Sequence, residues 1–424
     1  MKKSLFFFFP LILSLLWLSS IQALTLEQAL KMAQKYYPPL KAQQLIEKKE
    51  RYFYKATIDP YLPTLSSGIS YQRTFTSSLY SPGRIWDNQY TWDLTLKYRL
   101  FDGGYRYSQR KQALFTLKQA KTDIETIINN LCFEVKRAFY TALAKEMILK
   151  TCQETEAIAK KNYDLALARR QVGIAMRSDV TQAQVRYINA RMDTVSAQKD
   201  LEKAIAALNS LIGWPLNKRV YLAGKLKTNW LNVSLPFLQK EALAHRPEVK
   251  KQELELKKLQ MSIKTYKSEY YPKLDLQVGY TRYDQKPDFS EEEAIGMVSL
   301  SYIFFNGPGR YYHVSGQKRA LKAAKAQLEE VKRQVRLEVY QAYKDLEVAF
   351  SKLKIAQQLV KKAKVNYQQA YGEYKVGKGD IISLIEAEIN LSESKLSLIN
   401  QMLNYNLAIS ALEKAVFVNS LWEK

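Results

Sequence analysis

The 424-residue chain has two cysteines, two histidines and, from Gly104 to Gly173, no glycine or proline between the two ends. Each scarcity excludes something. Two cysteines cannot build a disulfide framework. Cys132 and Cys152 lie 20 positions apart in a segment that reads as one helix, about 30 Å at 1.5 Å per residue, so they do not join within the chain. His245 and His313 sit in no H-E-x-x-H or Cys-rich spacing, so no metal site is expected. A phosphate-cradling glycine loop followed by lysine is missing, and with it an ATP-driven role. The chain is therefore expected to have no cofactor and no catalytic centre. After the first 23 residues there is also no long apolar run, so a membrane could be crossed only by strands.

Those first residues read as a signal peptide, 1–23. Lys2 and Lys3 precede an apolar run from Leu5 to Leu18, broken by Pro10 and Ser14, and Ser19 to Ala23 supplies a small-residue end. The mature chain would begin at Leu24, where the absence of cysteine gives no lipid-anchor signal. Lys and Arg outnumber Asp and Glu by 65 to 41, a net charge of +24. The two signs are interspersed along helices rather than clustered with aromatics, which argues against nucleic acid and for an anionic membrane surface.

The glycine-free stretch predicts a helix of roughly 100 Å. Its apolar positions step by three and four through Leu117, Leu131, Val135, Ala138, Ala142, Leu149, Cys152, Ala159, Tyr163 and Ala166, the repeat of a left-handed coiled coil. A shift of 204 residues lands this ladder on Val335, Val339, Ala342, Leu346, Leu353, Tyr367 and Ala370, and carries Val172-Gly173 onto Val376-Gly377. The chain is an internal duplication. The expected layout is a first repeat over 24–212, with strands 61–77 and 89–101, a long helix 104–172 and a return helix 174–212. An equatorial connection at 213–236 follows, then a second repeat over 237–424 with strands 274–284 and 294–305, a long helix 310–376 and a return helix 380–418.

In "YTWDLTLKYRLFDGG" (90–104) Tyr90, Trp92, Leu94, Leu96 and Tyr98 fall on one face, and Asp93, Lys97 and Arg99 on the other. Tyr90, Trp92 and Tyr98 suit a lipid interface, and the charged residues suit a water-filled lumen. Four strands cannot close a membrane barrel, whose smallest members have about eight, and open edges are not tolerated in lipid. The barrel must be shared by two or more copies; strand arithmetic alone leaves two, three or four open.

The motifs "LTLEQAL" at Leu24, "LFDGGYRYSQRKQA" at Leu100, "RPEV" at Arg246 and the turns "VGIAMRSDVTQAQVRYINAR" and "VGKGDIISLIEAEIN" occur in order over nearly the whole mature chain. The chain resembles the outer-membrane efflux protein family, the TolC-like channels. The resemblance implies a fold that is mainly α with membrane β: duplicated coiled-coil hairpins plus four transmembrane strands per chain. In a homotrimer these form a shared twelve-stranded β-barrel and an α-helical tunnel, in the outer membrane and extending into the periplasm. It implies a passive exit duct of an efflux or type I secretion system, working with a periplasmic adaptor (membrane fusion protein) and an inner-membrane transporter. Carried over by position, Val172, Gly173, Ile174, Val376 and Gly377 form the adaptor-docking tip. Asp179, Tyr374, Ser383 and Glu386 belong to the periplasmic gate. Ser383 stands where one acidic gate residue is expected, and Gly379 where an arginine is, so a double acidic ring is not expected. A periplasmic adaptor or a structural coiled-coil protein are the competing readings; an adaptor has one hairpin, and this chain has two.

Overall fold

The computed structural model describes residues 23–78, 81–230 and 232–418. The expected signal peptide, save Ala23, and residues 419–424 lie outside them. The chain runs β1 (Leu24–Thr25), α1 (Leu26–Tyr36), α2 (Pro38–Ala56), β2 (Thr64–Ser78), β3 (Ser81–Phe101), α3 (Tyr105–Gln171) and α4 (Arg177–Ile212). It continues through β4 (Leu222–Ala223), α5 (Leu235–His245), α6 (Pro247–Lys267), β5 (Lys273–Asp284), β6 (Glu291–Ser301), α7 (Gly309–Lys375) and α8 (Ile381–Val416). Among the described residues no helix is long and apolar enough to cross a membrane.

The duplication is visible in the boundaries. A shift of 204 carries both ends of α3 onto those of α7 and both ends of α4 onto those of α8. The long helices have 67 residues each, about 100 Å. Their ladders are the buried seams: Leu131, Val135 and Phe139 of α3 pack with Ala29 and Ala33 of α1 and Leu208 of α4. Val335, Val339, Leu346 and Leu353 of α7 pack with Tyr405, Ile409 and Leu412 of α8. Cys132 and Cys152 both lie on α3 as free thiols.

Three tiers stack along the long helices, and each has the same lateral order. The sheet is antiparallel, ordered β2-β3-β5-β6. Beneath it the neighbours run α2-α3-α6-α7, and towards the far end α4-α3-α8-α7. First-repeat elements form one edge of this strip and second-repeat elements the other. At mid-height β4 pairs with β1 in parallel. The connection is tied to α8 there: the Lys227 amide donates to Asn406 Oδ1 at 3.0 Å, Asn406 Nδ2 donates back to the Lys227 carbonyl at 3.0 Å, and the Tyr405 hydroxyl donates to the Asn229 carbonyl at 2.5 Å.

Two strand limits differ from expectation by four residues or more. β3 starts at Ser81 rather than 89, through Pro82 and Gly83, which read as a loop. Before Tyr90 its only partner among the described residues is β2, so the proline lies where no second ladder needs its missing N–H. β6 ends at Ser301 rather than 305. Its sole partner among the described residues, β5, begins at Lys273, opposite Ser301, so the next residues have no ladder there to join. They leave the sheet with Phe304 and Phe305 at 88% and 85% exposure.

Candidate functional site

The register sorts the sheet into two faces. Lys97 lies opposite Thr64, Asp93 opposite Gly68 and Arg99 opposite Asp275, and cross-strand partners share a face. Arg99 Nε donates to Asp275 Oδ1 at 2.8 Å. On the other face Tyr90 lies opposite Tyr71, Trp92 opposite Ile69, and Leu96 opposite Val278, which itself lies opposite Gly296. Tyr71 and Tyr90 have ring centroids 4.8 Å apart, and Trp92 Nε1 donates to Ser67 Oγ at 3.0 Å. Across β2 and β3 the alternation gives one polar face holding Asp93, Lys97 and Arg99 and one apolar face holding Tyr90, Trp92 and Tyr98; it weakens in β5 and β6, where Arg282 lies opposite Trp92 and where Met297 and Ile295 fall on the polar side.

A buried ion pair seats the sheet on the helices. Asp102 accepts from the amides of Gly104 and Arg106, both at 3.0 Å, and from Arg106 Nε at 2.8 Å. One carboxylate therefore caps α3 and holds the arginine. Arg106 Nη1 donates in turn to the Pro60 carbonyl at 2.9 Å, tying the foot of β2 to the same joint. On the polar side of this joint lies a cavity of about 440 Å³, lined by Lys97, Arg99, Tyr105 and Asp275 among others.

At the opposite end the helices reverse at Gly173 and Gly377, with φ of 78° and 82°. These left-handed values suit glycine, and they let the Gly173 amide donate to the Arg170 carbonyl and the Gly377 amide to that of Tyr374. Val172, Ile174 and Val376 project at 69%, 66% and 69% exposure. The two turns start their return helices by opposite means. In the first, Asp179 reaches back to accept from the Met176 amide at 3.1 Å. In the second, Asp380 reaches forward to accept from the Ser383 amide at 2.7 Å and its hydroxyl at 2.9 Å. Met176 and Asp380 are equivalent under the 204 shift, as are Asp179 and Ser383. The serine thus stands where it does because the carboxylate that serves this turn sits three residues earlier. Those hydrogen bonds, the Ser383 amide foremost, hold the Asp380 carboxyl below its ordinary range.

Tyr374 and Asp179 do not sit together on an open surface. Tyr374 is 2% exposed, packed with Ala166, Val180, Ala183, Ile381 and Leu384. Its hydroxyl has no hydrogen-bond partner among the described residues, and burial pushes it above the ordinary tyrosine range. At this turn Arg169 of α3 links the hairpins. Its guanidinium stacks 4.7 Å from the Tyr374 ring and donates through Nη1 to the Tyr374 carbonyl. Arginine is absent at Gly379, yet the first hairpin supplies one to the same turn.

Glu386 is exposed, beside a groove lined by Val185, Ile382, Ile385 and Ile389. Two residues on, Glu388 is fully buried and was not a candidate in the sequence. Its carboxylate accepts from Asn162 Nδ2 of α3 at 2.6 Å and from Arg186 Nε of α4 at 3.0 Å. Three helices thus meet on one carboxylate. Burial raises its pKa, and Arg186 and Asn162 pull the other way. The available signal was a charged residue adjoining Ala387 on the core side of α8, where an unpaired charge is not tolerated.

Finally, Val185, Ile188, Met192 and Val195 of α4 and Val348, Ile355 and Leu359 of α7 are exposed at heptad spacing. They lie on the two edges of the strip, Val185 at the rim of the groove it shares with α8.

A family model described as outer membrane efflux protein matches residues 29–214 and 238–416. Protein CyaE of Bordetella pertussis is 24% identical over 337 residues, 78% of this chain and 70% of CyaE. The probable efflux pump outer membrane protein TtgC of Pseudomonas putida is 22% identical over 326 residues; the match takes in 73% of this chain and 65% of TtgC, just under two thirds. Among solved structures, CusC, described as undergoing transmembrane channel formation, superposes with a TM-score of 0.81 at 15% identity, over 92% of this chain and 91% of CusC.

Proposed function

The chain belongs to the outer membrane efflux protein family, whose members are channels of the outer membrane and not enzymes, and from that premise we propose that it is the exit duct of a tripartite efflux or type I secretion system, built by three copies. The observation that carries this reading is the strip. Its order is the same in sheet, upper helices and lower helices, and it ends in different elements on its two sides. A surface of this kind associates head to tail, and it closes into a ring when the rotation between copies divides the circle. Three strips give twelve strands, enough for a barrel, with the apolar face and its Tyr90, Trp92 and Tyr98 in lipid and the Asp93, Lys97 and Arg99 face around water.

The duplication names the contacts between copies. Within the chain, Thr155 Oγ1 of α3 lies 3.1 Å from Ser392 Oγ of α8. The 204 shift turns α3 into α7 and α8 into α4, so the equivalent pair is Leu359 of one copy and Ile188 of the next, both exposed in the single chain. The two polar residues met inside the chain become two apolar ones across the joint.

The exposed turn residues Val172, Gly173, Ile174, Val376 and Gly377 form the surface for a periplasmic adaptor, and an inner-membrane transporter supplies the drive. Glu386 faces the constriction, where like carboxylates from three copies repel each other and attract cations. Tyr374 acts through packing under the Arg169 clamp, and Asp179 and Ser383 fix the helix starts that carry the gate. Single-channel recording from the purified oligomer in planar bilayers tests the duct: stable conductance is expected, and a membrane-inserted oligomer without conductance refutes it.

A further inference from the structure

The first turns of both long helices lack acidic residues. From Tyr105 to Thr122 there are five Lys and Arg and no Asp or Glu, and from Gly309 to Leu328 again five and none. On α3 the neighbours occupy two directions. Arg110 stacks on Tyr54 towards α2, while Gln112 donates to Thr265 and Gln119 to Glu255 towards α6. Tyr105 borders the cavity on the polar side of the sheet. At 100° per residue, Tyr107, Lys111 and Lys118 fall about 200 to 240° from Tyr105, on the wide face left free by both neighbours. The 204 shift places Tyr311 at the position of Tyr107 and Lys322 at that of Lys118, and Lys318 falls on the same face. Tyr107 and Tyr311 are 53% and 65% exposed. None of the four lysines has a carboxylate within ion-pair distance among the described residues; Lys111 Nζ lies over the Tyr107 ring at 5.5 Å instead.

We propose that this outward band binds the anionic head groups of phospholipid in the leaflet next to the helices. The inference rests on the reading of the sheet as membrane-spanning, and the band continues that surface. Tyr107 and Tyr311 come within about 5 Å of the helix starts, where amphipathic rings settle at a bilayer interface. Lys111 lies about 9 Å and Lys318 about 14 Å along their helices, and an extended lysine stem lets the ammonium reach back to the head-group layer. Lys118 and Lys322, about 20 Å along, are more than a Debye length from that layer and add little to the attraction. A cation near an anionic surface favours it about five-fold, so the two upper lysines in each of three copies give a lipid shell clearly enriched in anionic species.

The test is electron spin resonance of the oligomer in phosphatidylcholine vesicles holding spin-labelled phosphatidylglycerol or phosphatidylcholine. The shell-averaged association of phosphatidylglycerol is expected to exceed that of phosphatidylcholine about two-fold, and to equal it in the Lys111→Gln, Lys318→Gln variant and at about 1 M salt. Equal association in the wild-type protein, or an unchanged preference in the variant, overturns the proposal. So does retention by isolated peptidoglycan sacculi that the variant loses while lipids are not distinguished. Conductance in pure phosphatidylcholine is recorded alongside for both proteins. A preference without conductance refutes the duct and leaves the lipid band standing; conductance without preference does the reverse.

Discussion

Replacing Arg186 with methionine isolates the buried ion pair near the tip. Glu388 is 1% and Arg186 13% exposed at the side chain, and their atoms lie 3.0 Å apart. Methionine fills most of the arginine's stem volume but leaves the carboxylate with Asn162 as its remaining side-chain donor. Breaking a buried pair from one side costs about 3 to 5 kcal/mol while the other charge persists. The sign with pH follows from burial. Glu388 is already raised above its ordinary 4.5, and losing Arg186 raises it further. Below pH 4.5 the folded and unfolded states are both protonated, so the variant loses only a hydrogen bond, about 1 kcal/mol. As pH rises the unfolded carboxyl ionises and the folded one resists, so the deficit grows towards its full size near neutrality. Hydrogen exchange of α8 over 381–391, corrected for intrinsic rates, reads this locally in the intact oligomer, where unfolding as a whole is not two-state. Protection is expected to fall by about two to three and a half orders of magnitude near pH 7, much less near pH 4.5, and to recover in the Arg186→Met, Glu388→Gln double variant, whose amide carries no charge. An equal loss at both pH values without recovery would show that Arg186 works by packing alone.

Cysteines at Leu359 and Ile188, in a chain with Cys132 and Cys152 replaced by serine, should crosslink neighbouring copies into species of two and three times the mass of the single mature chain; monomer alone after oxidation contradicts the strip closure. Glu386→Gln should weaken block of conductance by divalent cations added from the tip side, and unchanged block removes Glu386 from the constriction. Asp102→Ala leaves Arg106 buried without its carboxylate and α3 without its cap, a loss of about 3 to 5 kcal/mol that should appear as dissociation of the oligomer at lower temperature in detergent. Gly377→Val forces a branched side chain into a left-handed turn, at about 1 to 2 kcal/mol, and should cut adaptor crosslinking at that turn while conductance persists.

How much of this was legible in the residues follows from the range over which each feature is set. The hairpins were, because a helix is set by neighbours three and four apart: with no glycine or proline to stop it, the ladder from Leu117 to Ala166 ran until Val172-Gly173, and the copy at 204 repeated it. The faces of β3 were too, since a period of two is equally local. The strand ends were not. Whether Pro82 belongs to a strand depends on which side lacks a partner, and where β6 stops depends on Lys273, 28 residues before Ser301. Glu388 shows the same limit in the site. Its neighbours in sequence place it beside a core position, but the groups that make a buried carboxylate tenable, Arg186 and Asn162, are 202 and 226 residues away. The exchange of caps between the turns lies between these cases. Both carboxylates are in view in the sequence, Asp179 and Asp380, three positions out of step once the repeats are aligned. That offset already implied that Ser383 had replaced a partner of the cap, because a helix start needs one acceptor for its free amides and gains little from two.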